Sequence, residues 1–134
     1  ADIPMYATAQ IYNPATTGRE NDLNGFIIAD TPALVAPGAD ASAVRAGLEA
    51  YWPQRTAYIR YYDMGFDAYE LIAPLYANDG SPWSVRGLSG DLSLDEQGRV
   101  RRVLPLAQFR NGRPVALDTE RLQPIDSRGI IGQR

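Results

Sequence analysis

The segment Ile3-Pro4-Met5-Tyr6-Ala7-Thr8-Ala9-Gln10-Ile11-Tyr12 decides how the rest of the chain is read. Small and apolar residues interleaved with Tyr and Thr suggest a largely buried strand. Pro4 sits at its entry, where no ladder donor is lost. Asn13-Pro14 stops it, and Asn21-Asp22-Leu23-Asn24-Gly25 is a short turn-rich link. Phe26-Ile27-Ile28-Ala29 then reads as a second short strand, closed by Asp30-Thr31-Pro32. Neither run alternates apolar with polar residues. The pair therefore fits an α/β sheet covered on its faces better than a hairpin with one wet side.

Outward from these strands, Ala33 to Asp40 is rich in Pro and Gly. Ser42 is a plausible N-cap for a helix over Ala43–Tyr51, ended at Trp52-Pro53 because the residue before proline avoids the α region. Ile59, Tyr62, Phe66, Tyr69, Ala73 and Tyr76 recur at spacings of three and four, which predicts a helix from about Thr56 to Tyr76 with that face buried. Pro74 should kink or end it. From Val85 the pattern turns to strand. Leu88, Leu92 and Leu94 lead into the tight turn Asp95-Glu96-Gln97-Gly98, and Arg99 to Phe109 runs back. Asn111-Gly112 signals a two-residue hairpin returning through Arg113-Pro114-Val115. By itself the chain reads as α+β: two buried strands, two helices and a three-stranded antiparallel terminal unit.

Composition excludes much chemistry. The 134 residues contain no His and no Cys, so there is no imidazole base, no Ser-His-Asp triad, no thiolate zinc site and no disulfide. All 13 basic residues are Arg, which removes Schiff-base and P-loop lysines. The net charge of −3 lacks the basic footprint of a nucleic-acid binder, and no nucleic-acid partner is expected. No run approaches the roughly 18 apolar residues of a membrane-span candidate. The chain opens at Ala1 without Met and reads as a piece of something longer.

Asp63, Asp67 and Glu70 lie at helical spacing and could serve acid/base work, but the pattern equally describes a solvated helix face, which is the expectation here. The stretch Asp91–Gly98 lacks the ligand order of a calcium loop. Gly87-Leu88-Ser89-Gly90 lets the chain bend into the terminal strands. No catalytic residue, metal site or cofactor is expected. Tyr6, Thr8 and Tyr12 are the candidates for a cleft or small-ligand site beside the first strand. Trp52, Tyr61 and Trp83 lie off the apolar stripe and suit a protein contact.

Taken in order, Ile3–Thr8, Leu23–Pro32, Arg60–Leu71, Gly87–Val100 and Phe109–Val115 resemble the last third of a type I periplasmic binding protein-like domain. Met64-Gly65-Phe66-Asp67-Ala68-Tyr69 and Gly87-Leu88-Ser89-Gly90-Asp91-Leu92 carry a narrower resemblance to the LppC/LpoA family, outer-membrane lipoproteins that activate a class A penicillin-binding protein. The resemblance implies a partial α/β domain over residues 1–117, with 118–134 a surface tail. It implies a non-catalytic regulator of peptidoglycan synthesis in the periplasm, anchored to the outer membrane only by a lipid outside this piece. A class A penicillin-binding protein would be its partner. The competing expectation is a periplasmic solute-binding module for a small polar ligand. An incomplete sheet with unguarded edges also predicts self-association of the isolated piece.

Overall fold

The computed structural model describes residues 3–16, 20–77 and 79–118. The tail expected over 118–134 lies outside the described residues except for Asp118. Among the described residues two sheets form. The larger has strand order β1-β2-β6-β7, with β1 Met5–Thr8, β2 Phe26–Ala29, β6 Leu106–Arg110 and β7 Arg113–Ala116. β1 and β2 are parallel, with Ala7 opposite Ile28, and the other pairings are antiparallel. The smaller sheet is the antiparallel meander β3 Ser84–Arg86, β4 Asp91–Leu94 and β5 Val100–Val103.

One face of the larger sheet carries the core. Strand alternation puts Ala7, Ile28, Ala107 and Phe109 on the same side, and α1 (Pro32–Val35) sets Val35 against them. Ile11, Tyr12, Leu23 and Phe26 pack around this cluster. The opposite face shows Tyr6, Thr8 and Val115 to solvent. Helix α2 (Ala39–Tyr51) buries Ala41 and Leu48 and packs against the 3-10 turn Pro53–Tyr58 and against α3 (Ile59–Glu70). A short α4 (Ile72–Tyr76) follows α3 after a break at Leu71. No described helix is long and apolar enough to cross a membrane.

The mixed α/β class holds, with five differences in detail. β1 is an exposed edge strand, not a buried one, because nothing described lies beyond it and only Ala7 turns inward. The run Arg99–Phe109 is two strands. Pro105 has no amide to give a ladder, and its carbonyl instead accepts from the Asp30 amide at 3.2 Å, so the chain leaves the small sheet and joins the large one. The three-stranded unit is therefore β3-β4-β5, and the Asn111-Gly112 hairpin belongs to the larger sheet. Its turn holds Asn111 at φ 52° and Gly112 at φ 73°, the left-handed pair that a two-residue hairpin demands.

Helix α2 begins one turn earlier than expected, at Ala39 with Gly38 as its N-cap. The Ser42 hydroxyl bonds back to the Gly38 carbonyl instead of capping amides. The largest difference is in α3. Its buried positions are Ile59, Asp63 and Asp67, followed by Leu71. Tyr69 is 72% exposed, Tyr76 94% and Phe66 38%. The buried stripe is therefore spaced by four and half acidic, and the aromatic stripe faces outward.

Truncating Phe109, which is fully buried, should cost roughly 3–5 kcal/mol, whereas Phe66→Ala should cost about 1–2 kcal/mol because its ring already meets water. Urea denaturation of both variants measures this, and equal losses would contradict the core described above.

Candidate functional site

Two polar residues of α3, Arg60 and Asp67, tie the helix to the rest of the fold. Arg60 reaches the end of β2, where its guanidinium binds both carboxylate oxygens of Asp30, Nε to Oδ1 at 2.8 Å and Nη2 to Oδ2 at 2.7 Å. Nη2 also donates to the carbonyls of Ala9 and Tyr12 at 3.1 and 3.2 Å. The Asp30 carboxylate, only 1% exposed, accepts the Thr31 amide as well. The bidentate geometry and the extra bonds are what make a buried carboxylate tolerable.

Asp67 does the same work at the other end of the helix. Its oxygens accept the Leu88 amide at 2.8 Å, the Ser89 amide at 2.7 Å and the Ser89 hydroxyl at 2.6 Å. This fastens the Gly87–Gly90 bend to α3. A Cβ at Gly87 would collide with the Asp67 carboxylate, so glycine is required there for the close approach. Asp67 was expected on a solvated face. It is buried because it meets donors that water would otherwise supply.

Asp63 sits between these two clasps and has no such partner. It is 1% exposed, and neither carboxylate oxygen has a hydrogen bond. Burial pushes its carboxyl up to about 7, and the charges of Asp67 and Asp30 push the same way. Arg60 and Arg45 pull it down by less. Asp67, by contrast, is held by three donors and joins α3 to the bend. Among the described residues no group of three acidic side chains converges on a metal position.

The cleft candidates do not converge. Tyr6, 68% exposed, and Thr8 project from the open face of β1. Tyr12 lies on the core side with its ring edge-on to Phe109 at 5.6 Å. The contact candidates separate as well. Trp52 stands beside Tyr51 at 6.1 Å, and Tyr61 beside Tyr58 at 6.5 Å. All four are more than half exposed. Arg55 links the two pairs. Its amide donates to the Trp52 carbonyl, and its side chain shares a shallow hollow with Tyr58, Tyr61 and Tyr62. Trp83 lies elsewhere, in a groove beside β3. Tyr51 and Tyr58, which complete the aromatic ledge, are not singled out by the sequence, since their exposure depends on the break at Pro53.

The sequence model of the family described as "LppC putative lipoprotein" matches residues 1–112. This chain belongs to the LppC family. The penicillin-binding protein activator LpoA of Vibrio cholerae is 33% identical over 99 residues, covering 72% of this chain. The chain spans only 16% of that relative's length. Among solved structures, the LpoA C-domain from Haemophilus influenzae, described as a regulator of PBP1A, superposes with a TM-score of 0.58. It is 24% identical, and the match covers 85% of this chain and 36% of that one. A protein of Chromobacterium violaceum described as a "putative branched-chain amino acid ABC transporter" superposes at 0.54 with 26% identity, covering 81% of this chain and 35% of its own. The fold is thus part of a periplasmic binding protein-like domain of the LppC family.

Two outcomes follow from the α3 spine. Asp67→Ala should cost roughly 3 kcal/mol or more, because three donors lose their acceptor. Asp63 should make stability fall with rising pH. Its folded pKa is raised, so the folded state holds the proton more tightly than the unfolded chain between about 3.8 and about 7. The stability linked to the proton is complete below that window and lost above it, a difference of about 4 kcal/mol. Asp63→Asn should abolish this difference and be the more stable protein at pH 8. Parallel urea titrations at pH 5 and pH 8 measure it, and an unchanged slope in the variant would show that Asp63 does not titrate in this range.

Proposed function

We propose that this chain is part of a non-catalytic regulator of peptidoglycan synthesis that activates a class A penicillin-binding protein by direct contact. Its place would be the periplasm, with the full-length protein held to the outer membrane by a lipid anchor. The observation that carries this reading is membership of the LppC family, together with 33% identity to an activator that bears that name. The surface supports it. The ledge of Tyr51, Trp52, Tyr58 and Tyr61 around Arg55 has the aromatic and guanidinium composition of protein-binding hot spots. The likeness to a transporter protein supports the alternative of solute binding through the fold alone, and the separation of Tyr12 from Tyr6 and Thr8 weighs against it.

In full-length protein, Trp52→Ala and Tyr61→Ala should each weaken binding to the ectodomain of a class A penicillin-binding protein at least fivefold. The double variant should lose most stimulation of glycan polymerisation. Wild-type stimulation by the double variant would remove the ledge from the contact, and absence of binding by the wild type would remove the activator reading altogether.

The isolated chain should also self-associate, because among the described residues β1 has no strand on its outer side and nothing covers the sheet face bearing Tyr6 and Val115. Sedimentation equilibrium should show mass rising with concentration. A constant 14.7 kDa species would show that the edge is guarded.

A further inference from the structure

A groove of about 400 Å3 runs between the α3–α4 arm and strand β3. Phe66, Leu71 and Pro74 form the helical wall, and the unbroken run Trp83 to Leu88 forms the other. Because consecutive residues of β3 line it, the groove runs along the outer edge of the strand, and Leu92 of β4, opposite Val85, gives it an apolar floor on that face of the sheet.

The ladder shows which backbone groups that edge presents. At one end of β3 the Leu94 amide donates to the Trp83 carbonyl at 3.2 Å. At the other, the Gly87 amide donates to the Gly90 carbonyl at 2.9 Å. In the register Ser84↔Ser93 and Val85↔Leu92, bonding alternates along an antiparallel pair. Trp83, Val85 and Gly87 therefore face β4, and Ser84 and Arg86 turn their amides and carbonyls away from it. Among the described residues β3 has no strand on that side.

The charges at the groove are unbalanced. Asp67 is occupied by Leu88 and Ser89, and Arg86 leans on Asp91 at 3.6 Å. Asp40 and Glu70 also line the groove, and neither makes an ion pair with a described residue. What remains for a visitor is an apolar channel with negative charge. The indole N–H of Trp83, a groove-lining residue, is shielded from solvent and lacks an acceptor.

We propose that this groove receives an extended apolar segment of another protein that carries Lys or Arg. The segment adds to β3 as a further strand. Its backbone pairs with Ser84 and Arg86, alternate apolar side chains fill the space against Phe66 and Leu71, and its cation meets Glu70 and Asp40. Backbone pairing supplies affinity, and the channel and the acids select the sequence.

The test uses the 134-residue chain and two fluorescein-labelled hexapeptides, one alternating Val and Lys, the other Val and Glu. The Val/Lys peptide should bind at least tenfold more tightly by anisotropy. It should also slow hydrogen exchange at the Ser84 and Arg86 amides. Ser84→Pro removes an outward amide at an edge position where proline is tolerated, and should weaken binding at least tenfold. Glu70→Arg, an exposed change that leaves the strand intact, should narrow or reverse the preference between the peptides. Equal binding of the two peptides, no added protection at Ser84 and Arg86, or undiminished binding by both variants would each overturn the proposal.

Discussion

The carboxylate of Asp67 is the constraint on which the arrangement of the chain depends. It takes up two consecutive backbone amides and a hydroxyl from the Gly87–Gly90 bend, and so fixes where the smaller sheet starts relative to α3. The bend is then tied to the larger sheet through the Ala33 amide, which donates to the Leu88 carbonyl at 3.1 Å. Gly87 follows from the same constraint, since a side chain there would occupy the space of the carboxylate. Gly90 answers to a different neighbour: a side chain there would stand 2.9 Å from the Val103 carbonyl oxygen of β5. The carboxylate thus fixes the first glycine of the bend and strand β5 the last.

The polarity of α3 explains why its face was misread. Periodicity identifies which residues share a side, and in this helix Tyr62, Phe66 and Tyr69 do share one. It does not say which side meets the core. Apolar area usually decides that, at roughly 25 cal/mol per Å2. Here a competing set, Ile59, Asp63, Asp67 and Leu71, is spaced by four and carries two acids whose neighbours in space are Arg60 and a glycine-rich bend. A carboxylate and a stretch of exposed amides more than twenty residues apart in sequence give no local pattern. Only the fold brings them together.

Elements set by local rules were legible. Asn111-Gly112 gave the hairpin because few residues accept two successive positive φ angles. The turn Asp95–Gly98 closes on the Asp95 side chain, which accepts the amides of Gln97 and Arg99. Phe26–Ala29 was recognisable because it is apolar throughout and central in its sheet. β1 has a similar composition, yet it stands at an edge. Sequence cannot distinguish the two, since burial of a strand depends on its neighbours. The division of Arg99–Phe109 between two sheets was foreshadowed by Pro105 alone. Of the site residues, exposure of Trp52 and Tyr61 off the apolar stripe was readable; the position of Trp83 beside an open strand edge was not.

Between the Asp30–Arg60 pair and the Asp67 clasp, Asp63 is the weak point of an otherwise satisfied spine. Its neighbours on both sides are negative oxygens already held by other donors, so an ionised Asp63 would find repulsion on two sides and only the more distant pull of Arg60 and Arg45. The neutral acid avoids that repulsion but still leaves two oxygens without donors. The same helix therefore carries a guanidinium and a carboxylate that join elements, Arg60 and Asp67, and one carboxylate that opposes them, Asp63. The two sheets are continuous in the chain only through Leu104-Pro105 on the far side of the small sheet and through the α3–α4 arm on the near side. An ionised Asp63 consequently works against the helix that carries this near-side connection to the small sheet.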